Sequence, residues 1–146
     1  MCGIAGDLNF TSRPSNSVAI ERMVAAMQPR GPDGVGLSVR GAQGVGHRRL
    51  KIIDLTEAGR HPMEDPELGL TLVFNGCIYN HKELRAELEG RGYRFFSHSD
   101  SEVILKGFHA WGKDVVQRLN GMFAFAIIER DSGKVTLARG PAGVRG

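Results

Sequence analysis

Hydrophobic positions alternate by two in some stretches of this chain and recur every three to four residues in others, and the switches between the two periods lay out its elements. Gly3–Phe10 reads as a first strand and Thr11–Ser17 as a polar turn. Ile20, Met23, Val24 and Met27 fall on one stripe at helical spacing, which predicts an amphipathic helix that stops before Pro29. Arg30-Gly31-Pro32-Asp33-Gly34 is turn chemistry, and Val35–Arg40 and Gln43–Asp54 are predicted to pair around Gly41. Thr56–Pro66 reads as loop, Leu70–Asn75 as a buried strand ending at Gly76, and Tyr93–Phe96 as a short strand. Two capping-box signals open helices. Asn80 with Glu83 precedes Leu84 and Leu88, and Ser99 with Glu102 precedes Val103, Ile104, Leu105, Phe108 and Trp111. Phe123, Phe125 and Ile127 alternate by two, so Met122–Arg130 is predicted as a core strand, joined to Lys134–Arg139 by the hairpin signal Asp131-Ser132-Gly133. Strands outnumber helices and hairpins dominate, which makes the class α+β with mostly antiparallel sheet.

Composition narrows the function classes. A chain of 146 residues suits one domain with a real core. The net charge of +3, from 19 basic and 16 acidic residues, is spread along the chain with no basic run interleaved with aromatics, so nucleic acid is not an expected partner. No apolar run approaches the roughly 18 residues of a membrane helix, and no secretory leader precedes the first strand, so no membrane partner is expected. Cys2 and Cys77 make neither a disulfide framework nor a metal site, and His47, His61, His81, His98 and His109 lack ligand spacing, so no metal is expected. An unprotected Cys2 suits a reducing cytoplasm.

Cys2 changes the picture most. Behind the initiator methionine stands Cys2-Gly3-Ile4-Ala5-Gly6, and a small second residue favours removal of Met1. Cys2 would then carry a thiol and a free α-amine on one residue. The thiolate is the nucleophile and needs a base; an α-amine titrating near about 7.7–8.0 can serve. An ordinary cysteine in a first strand is the alternative that position alone leaves open.

Further motifs follow in order: Arg30-Gly31-Pro32-Asp33, Gly46-His47-Arg48-Arg49-Leu50, Asn75-Gly76, Ile78-Tyr79-Asn80, Ser99-Asp100 with Glu102, and Leu119-Asn120-Gly121-Met122-Phe123-Ala124-Phe125-Ala126. Together with Met1-Cys2-Gly3-Ile4 they resemble the glutaminase domain of class II glutamine amidotransferases of the asparagine synthetase type, over Cys2 to Arg139. The resemblance implies an N-terminal-nucleophile fold, an αββα sandwich of two antiparallel sheets. It also implies hydrolysis of glutamine to glutamate, with ammonia passed to a second site. By position, Cys2 attacks the side-chain amide and forms a glutamyl thioester. The Asn75 amide and Gly76 N–H resemble the oxyanion hole. Arg49 matches the position that grips the α-carboxylate, a task for a bidentate donor, and Asp100 the position that receives the α-ammonium. The resemblance extends the substrate surface to Leu50, Ile52, Ile53 and Cys77.

Each candidate also has a purely structural reading. Arg49 could be a solvated charge in the basic stretch His47–Lys51, Asp100 a helix cap, and Asn75-Gly76 a turn. Arg30-Gly31-Pro32-Asp33 reads as a structural wall near the site.

Two departures stand out. Cys77 occupies a position where the family places a glutamate that helps bind the substrate amine, so amine recognition should lean on Asp100. The change points to relatives that make N-acetylglutaminylglutamine amide, which look similar across His47–Leu55 and Phe108–Trp111. After Arg139 the family continues Asp-Arg-x-Gly, whereas this chain reads Gly140-Pro141-Ala142-Gly143-Val144-Arg145-Gly146. Inserting one G before GAC-CGG-CTG-GGG turns Asp-Arg-Leu-Gly into Gly-Pro-Ala-Gly. The expectation is therefore a partial amidotransferase domain over 1–139, incomplete at its C-terminus, with a frameshift-derived or truncating tail over 140–146. No phosphate loop is present, so no cofactor is expected in this chain; ATP and magnesium belong to a synthetase domain or subunit that it lacks. The competing expectations are an inactive fragment and a glutamine-binding module without turnover.

Overall fold

The computed structural model describes residues 2–51 and 55–140. Two antiparallel sheets are covered on their outer faces by helices. The first sheet has the order β1-β3-β2, with β1 Gly3–Leu8, β2 Gly34–Arg40 and β3 Gln43–Arg49. The second has the order β4-β5-β6-β7, with β4 Met63–Asp65, β5 Leu70–Ile78, β6 Gly121–Glu129 and β7 Val135–Arg139. Helix α1 (Ser17–Ala26) lies on the first sheet, α3 (Asp100–Trp111) lies on the second, and α2 (His81–Gly90) packs on α3. A short α4 (Val115–Arg118) leads into β6. This is the predicted αββα arrangement.

Local sequence explains the layers. A Cβ at Gly44 would fall 2.3 Å from Ile20 Cδ1 and one at Gly46 2.3 Å from Val24 Cγ2, so the glycines of β3 let α1 lie directly on the sheet. With those residues facing α1, strand alternation turns Val45, His47 and Arg49 toward the second sheet. On β5, Leu72, Phe74 and Ile78 join Phe123, Phe125 and Ile127 of β6 and Ile104, Leu105 and Phe108 of α3 in one buried cluster. Val73, Asn75 and Cys77 therefore face the first sheet. The layer between the sheets thus holds Arg49 of β3 and Asn75 and Cys77 of β5, whereas Asp100 stands at the start of α3.

Several predicted boundaries shift. The first strand stops at Leu8, and Phe10 is almost fully exposed. The strand predicted over Gln43–Asp54 ends at Arg49, and Asp54 lies outside the described residues. The segment read as loop carries a 3-10 turn, Glu57–Gly59, and β4. β5 runs on to Ile78, so Asn75-Gly76 is not a turn. Tyr93–Phe96 is not a strand, because the N–H groups of Phe96 and Ser97 donate to the Glu102 carboxylate at 2.8 and 2.7 Å instead of to a neighbour. That use of Glu102 also replaces the capping box at α3, where Ser99 Oγ accepts from Ser101 N–H. Asn80 caps nothing with its side chain; it accepts from Asn120 N–H and donates to the Arg118 carbonyl, tying α2 to the start of β6. Gly140 N–H still donates to Phe123, and Pro141–Gly146 lie outside the described residues. Among the described residues no helix is long and apolar enough to cross a membrane.

Candidate active site

The nominated residues fall into two groups, linked by the bond from His47 on β3 to Phe74 on β5. The first lies where β1 begins and β3 ends. Cys2 Sγ sits 3.3 Å from Leu50 N and 3.7 Å from Leu50 O, so the peptide of Leu50 can donate to a thiolate and accept from a thiol. Arg49 is buried, which removes the reading as a solvated charge, and its Nη1 donates to the Thr56 carbonyl at 2.8 Å. The Arg30–Asp33 segment fixes this corner. Asp33 N–H donates to the Arg49 carbonyl at 3.0 Å, and Asp33 Oδ2 accepts from Lys51 N–H at 2.9 Å. A Cβ on Gly31 would stand 2.5 Å from the Arg48 carbonyl carbon, so only glycine lets the segment lie against β3.

The second group follows from strand register. Gly140 N–H donates to Phe123, so Phe123 turns its backbone polar groups to β7 and away from its partner Gly76. Arg130 N–H donates to Gly69 and Tyr79 N–H to Asn120, which gives the odd-numbered residues of β5 to β6. The even-numbered ones point the other way, toward β4. But β4 covers only Leu70 to Leu72. Beyond it, the Phe74 carbonyl accepts from His47 Nε2 at 2.8 Å, and Ile78 N–H donates to Asp100 Oδ2 at 2.8 Å. Gly76 N–H lies between these two claimed groups, on an edge that no strand covers among the described residues. Beside it, the Asn75 side chain is buried, and its Oδ1 has no hydrogen-bond partner among the described residues.

Asp100 opens α3, with Ser99 rather than Asp100 as the cap. Burial pushes its carboxyl above the usual range, opposed by the bond from Ile78 N–H and by the nearby His81. A desolvated carboxylate of this kind gains when a cation is brought to it. His81 Nδ1 donates to the Ile78 carbonyl at 2.8 Å, so both polar groups of Ile78 are held by side chains.

The glutamine amidotransferase domain family matches this sequence over residues 1–146. The chain belongs to that family. Asparagine synthetase [glutamine-hydrolyzing] 3 of Bacillus subtilis is 38% identical, over 99% of this chain and 24% of that protein. Asparagine synthetase [glutamine-hydrolyzing] of Asparagus officinalis is 34% identical, again over 99% and 24%. This amidotransferase domain thus spans about a quarter of the length of the relatives it matches. In fold it is similar to glutamine phosphoribosylpyrophosphate amidotransferase from B. subtilis, with a TM-score of 0.81, 20% identity, and coverage of 99% of this chain and 38% of that one.

Of the residues sequence nominated in the amidotransferase domain, Cys2, Arg49 and Leu50 share one corner, and Asn75, Gly76, Cys77 and Asp100 share the open end of β5. Ile52 and Ile53 lie outside the described residues. Neither cysteine is in a disulfide. Sequence reasoning passed over His47, which joins the two groups. The signal was available: the β3 alternation that turns Arg49 inward turns His47 inward as well.

Proposed function

We propose that, with Met1 removed, the domain hydrolyses glutamine to glutamate and ammonia through a thioester on Cys2. The α-amine of Cys2 takes the thiol proton, and the thiolate attacks the side-chain carbonyl carbon. The oxyanion that forms is held by Gly76 N–H and the Asn75 amide. Collapse breaks the C–N bond, the amine returns its proton to the leaving nitrogen, and water then cleaves the thioester to glutamate. Leu50 N–H stabilises the thiolate before attack and after deacylation. Arg49 binds the substrate α-carboxylate and Asp100 its α-ammonium.

The observation that carries this reading is the register that turns the Gly76 N–H away from β6, to an edge that no strand pairs among the described residues and where its neighbours are held by His47 and Asp100. The names of the relatives, glutamine-hydrolysing asparagine synthetases, support a synthetase domain as receiver of the ammonia. ATP and magnesium act there, and this chain's own steps use neither. Two cysteines outside any disulfide suit a cytoplasmic setting. The test is release of glutamate and ammonia from glutamine by the purified chain. Turnover that vanishes in Cys2→Ala supports the reading; glutamine binding without turnover, or turnover that survives Cys2→Ala, refutes it.

A further inference from the structure

We propose that His47 is a positioning residue for the oxyanion hole, its imidazole standing in for the strand that β5 lacks beyond Leu72 and so aiming the Asn75 and Gly76 donors. The inference rests on the proposed thioester reading. β4 ends at Met63 opposite Leu72, and past that point the β4-side carbonyl of Phe74 would have no backbone donor. His47, projecting from β3 across the gap between the sheets, supplies one from Nε2 at 2.8 Å. One step earlier, where β4 still pairs with β5, His61 Nδ1 also donates to the Leu72 carbonyl at 3.2 Å. The two rings pack with centroids 4.7 Å apart. A carbonyl only accepts, so each imidazole carries its proton on the nitrogen that faces β5.

Packing alone does not account for an imidazole here. His47 is 1% exposed, and its Nδ1 has no hydrogen-bond partner among the described residues. A buried polar atom without a partner costs stability, and a leucine would avoid that cost while filling similar space. What the imidazole adds is the bond to Phe74. The chain also makes room for the pair, since a Cβ on Gly36 would sit 1.9 Å from the His61 carbonyl oxygen. The Phe74 carbonyl belongs to the peptide that leads directly into Asn75. Rotation of that peptide would tilt the Asn75 side chain and the Gly76 N–H together. A donor displaced by about 1 Å forfeits on the order of a hundredfold in rate.

The test compares His47→Gln, His47→Asn and His47→Leu with the unaltered chain. Glutamine places an amide nitrogen where Nε2 stood, whereas asparagine places it where Nδ1 stood. Two readouts separate positioning from general damage: kcat against KM for glutamine, and affinity for the γ-aldehyde analogue, which forms a tetrahedral adduct on Cys2. We expect His47→Leu and His47→Asn to lose about tenfold or more in kcat and in aldehyde affinity, with KM little changed, and His47→Gln to recover most of both. If His47→Leu fails to fold, the Gln–Asn contrast still decides. Equal behaviour of Gln and Asn, or losses confined to KM, overturns the inference. If the unaltered chain forms no adduct that depends on Cys2, the thioester reading itself falls, and the inference with it.

Discussion

Replacing Gly76 with alanine tests the geometry of the β5 edge. An added Cβ would lie 2.2 Å from the Met122 carbonyl oxygen and 2.7 Å from Phe123 Cα, both backbone atoms of the paired strand. A relaxed carbon–oxygen contact is about 3.3 Å, so β5 and β6 must part locally by roughly 1 Å. Overpacking of this kind costs about 1–3 kcal/mol, a fall in melting temperature of roughly 3–12 °C for a domain of this size. The catalytic cost is larger, on the order of a hundredfold in kcat, because the moved atoms include the N–H assigned to the oxyanion. Gly90→Ala is the control: a Cβ there meets nothing within 4 Å at the end of α2, and it should leave turnover unchanged. The assay pairs glutamate release under saturating glutamine with thermal unfolding. Gly76→Ala with unaltered kcat and melting temperature would show that β5 and β6 do not approach this closely at Gly76 and that its N–H has no part in turnover.

Arg49→Ala and Asp100→Asn should each weaken glutamine binding by about 2–5 kcal/mol, whereas Cys77→Ser should change it little; calorimetric titration of a Cys2→Ala background would show otherwise if these assignments are wrong. Burial pushes the His47 imidazole down to about 4 and His61 to about 3. The unfolded chain therefore binds more protons below roughly pH 6.5, and stability falls as the pH drops toward those values, by roughly 3 kcal/mol for His47 alone. Melting temperature against pH should show this slope, flatter in His47→Gln; a flat acid limb in the unaltered chain would contradict it. Lys106 is buried against Asp65 and Glu102, so Lys106→Met should cost about 3–5 kcal/mol by stranding the carboxylates. Adding Asp65→Leu should recover much of that loss in denaturant unfolding, and failure to recover any would argue against the pair.

Periodicity made most of the framework legible. The stripe Ile20–Val24 and the alternation Phe123–Ile127 are strong because each element buries one continuous face. What sequence missed depends on long-range bonds. β4 is three residues long and leaves too short a pattern to see. Tyr93–Phe96 has strand chemistry, but the Glu102 carboxylate takes the backbone that a sheet would need. Both capping boxes matched in spacing, but Asn80 bonds to Arg118 and Asn120 far along the chain, and at α3 Ser99 caps while Glu102 turns to Phe96 and Ser97 instead of completing the box. In the proposed site, Cys2, Arg49 and Asp100 were nominated through motif resemblance. The openness of Gly76 was not, since it follows from where β4 stops and from the parity of the β6 register.

Intact-mass and peptide mass spectrometry of the purified chain, acid-quenched during turnover of glutamine, would show directly whether Cys2 carries the glutamyl group. Active protein should begin at Cys2, and a labile adduct with the mass of one γ-glutamyl group should map to the N-terminal peptide. Met1 retained on fully active chain, or a glutamyl adduct carried by Cys77 instead of Cys2, would contradict it.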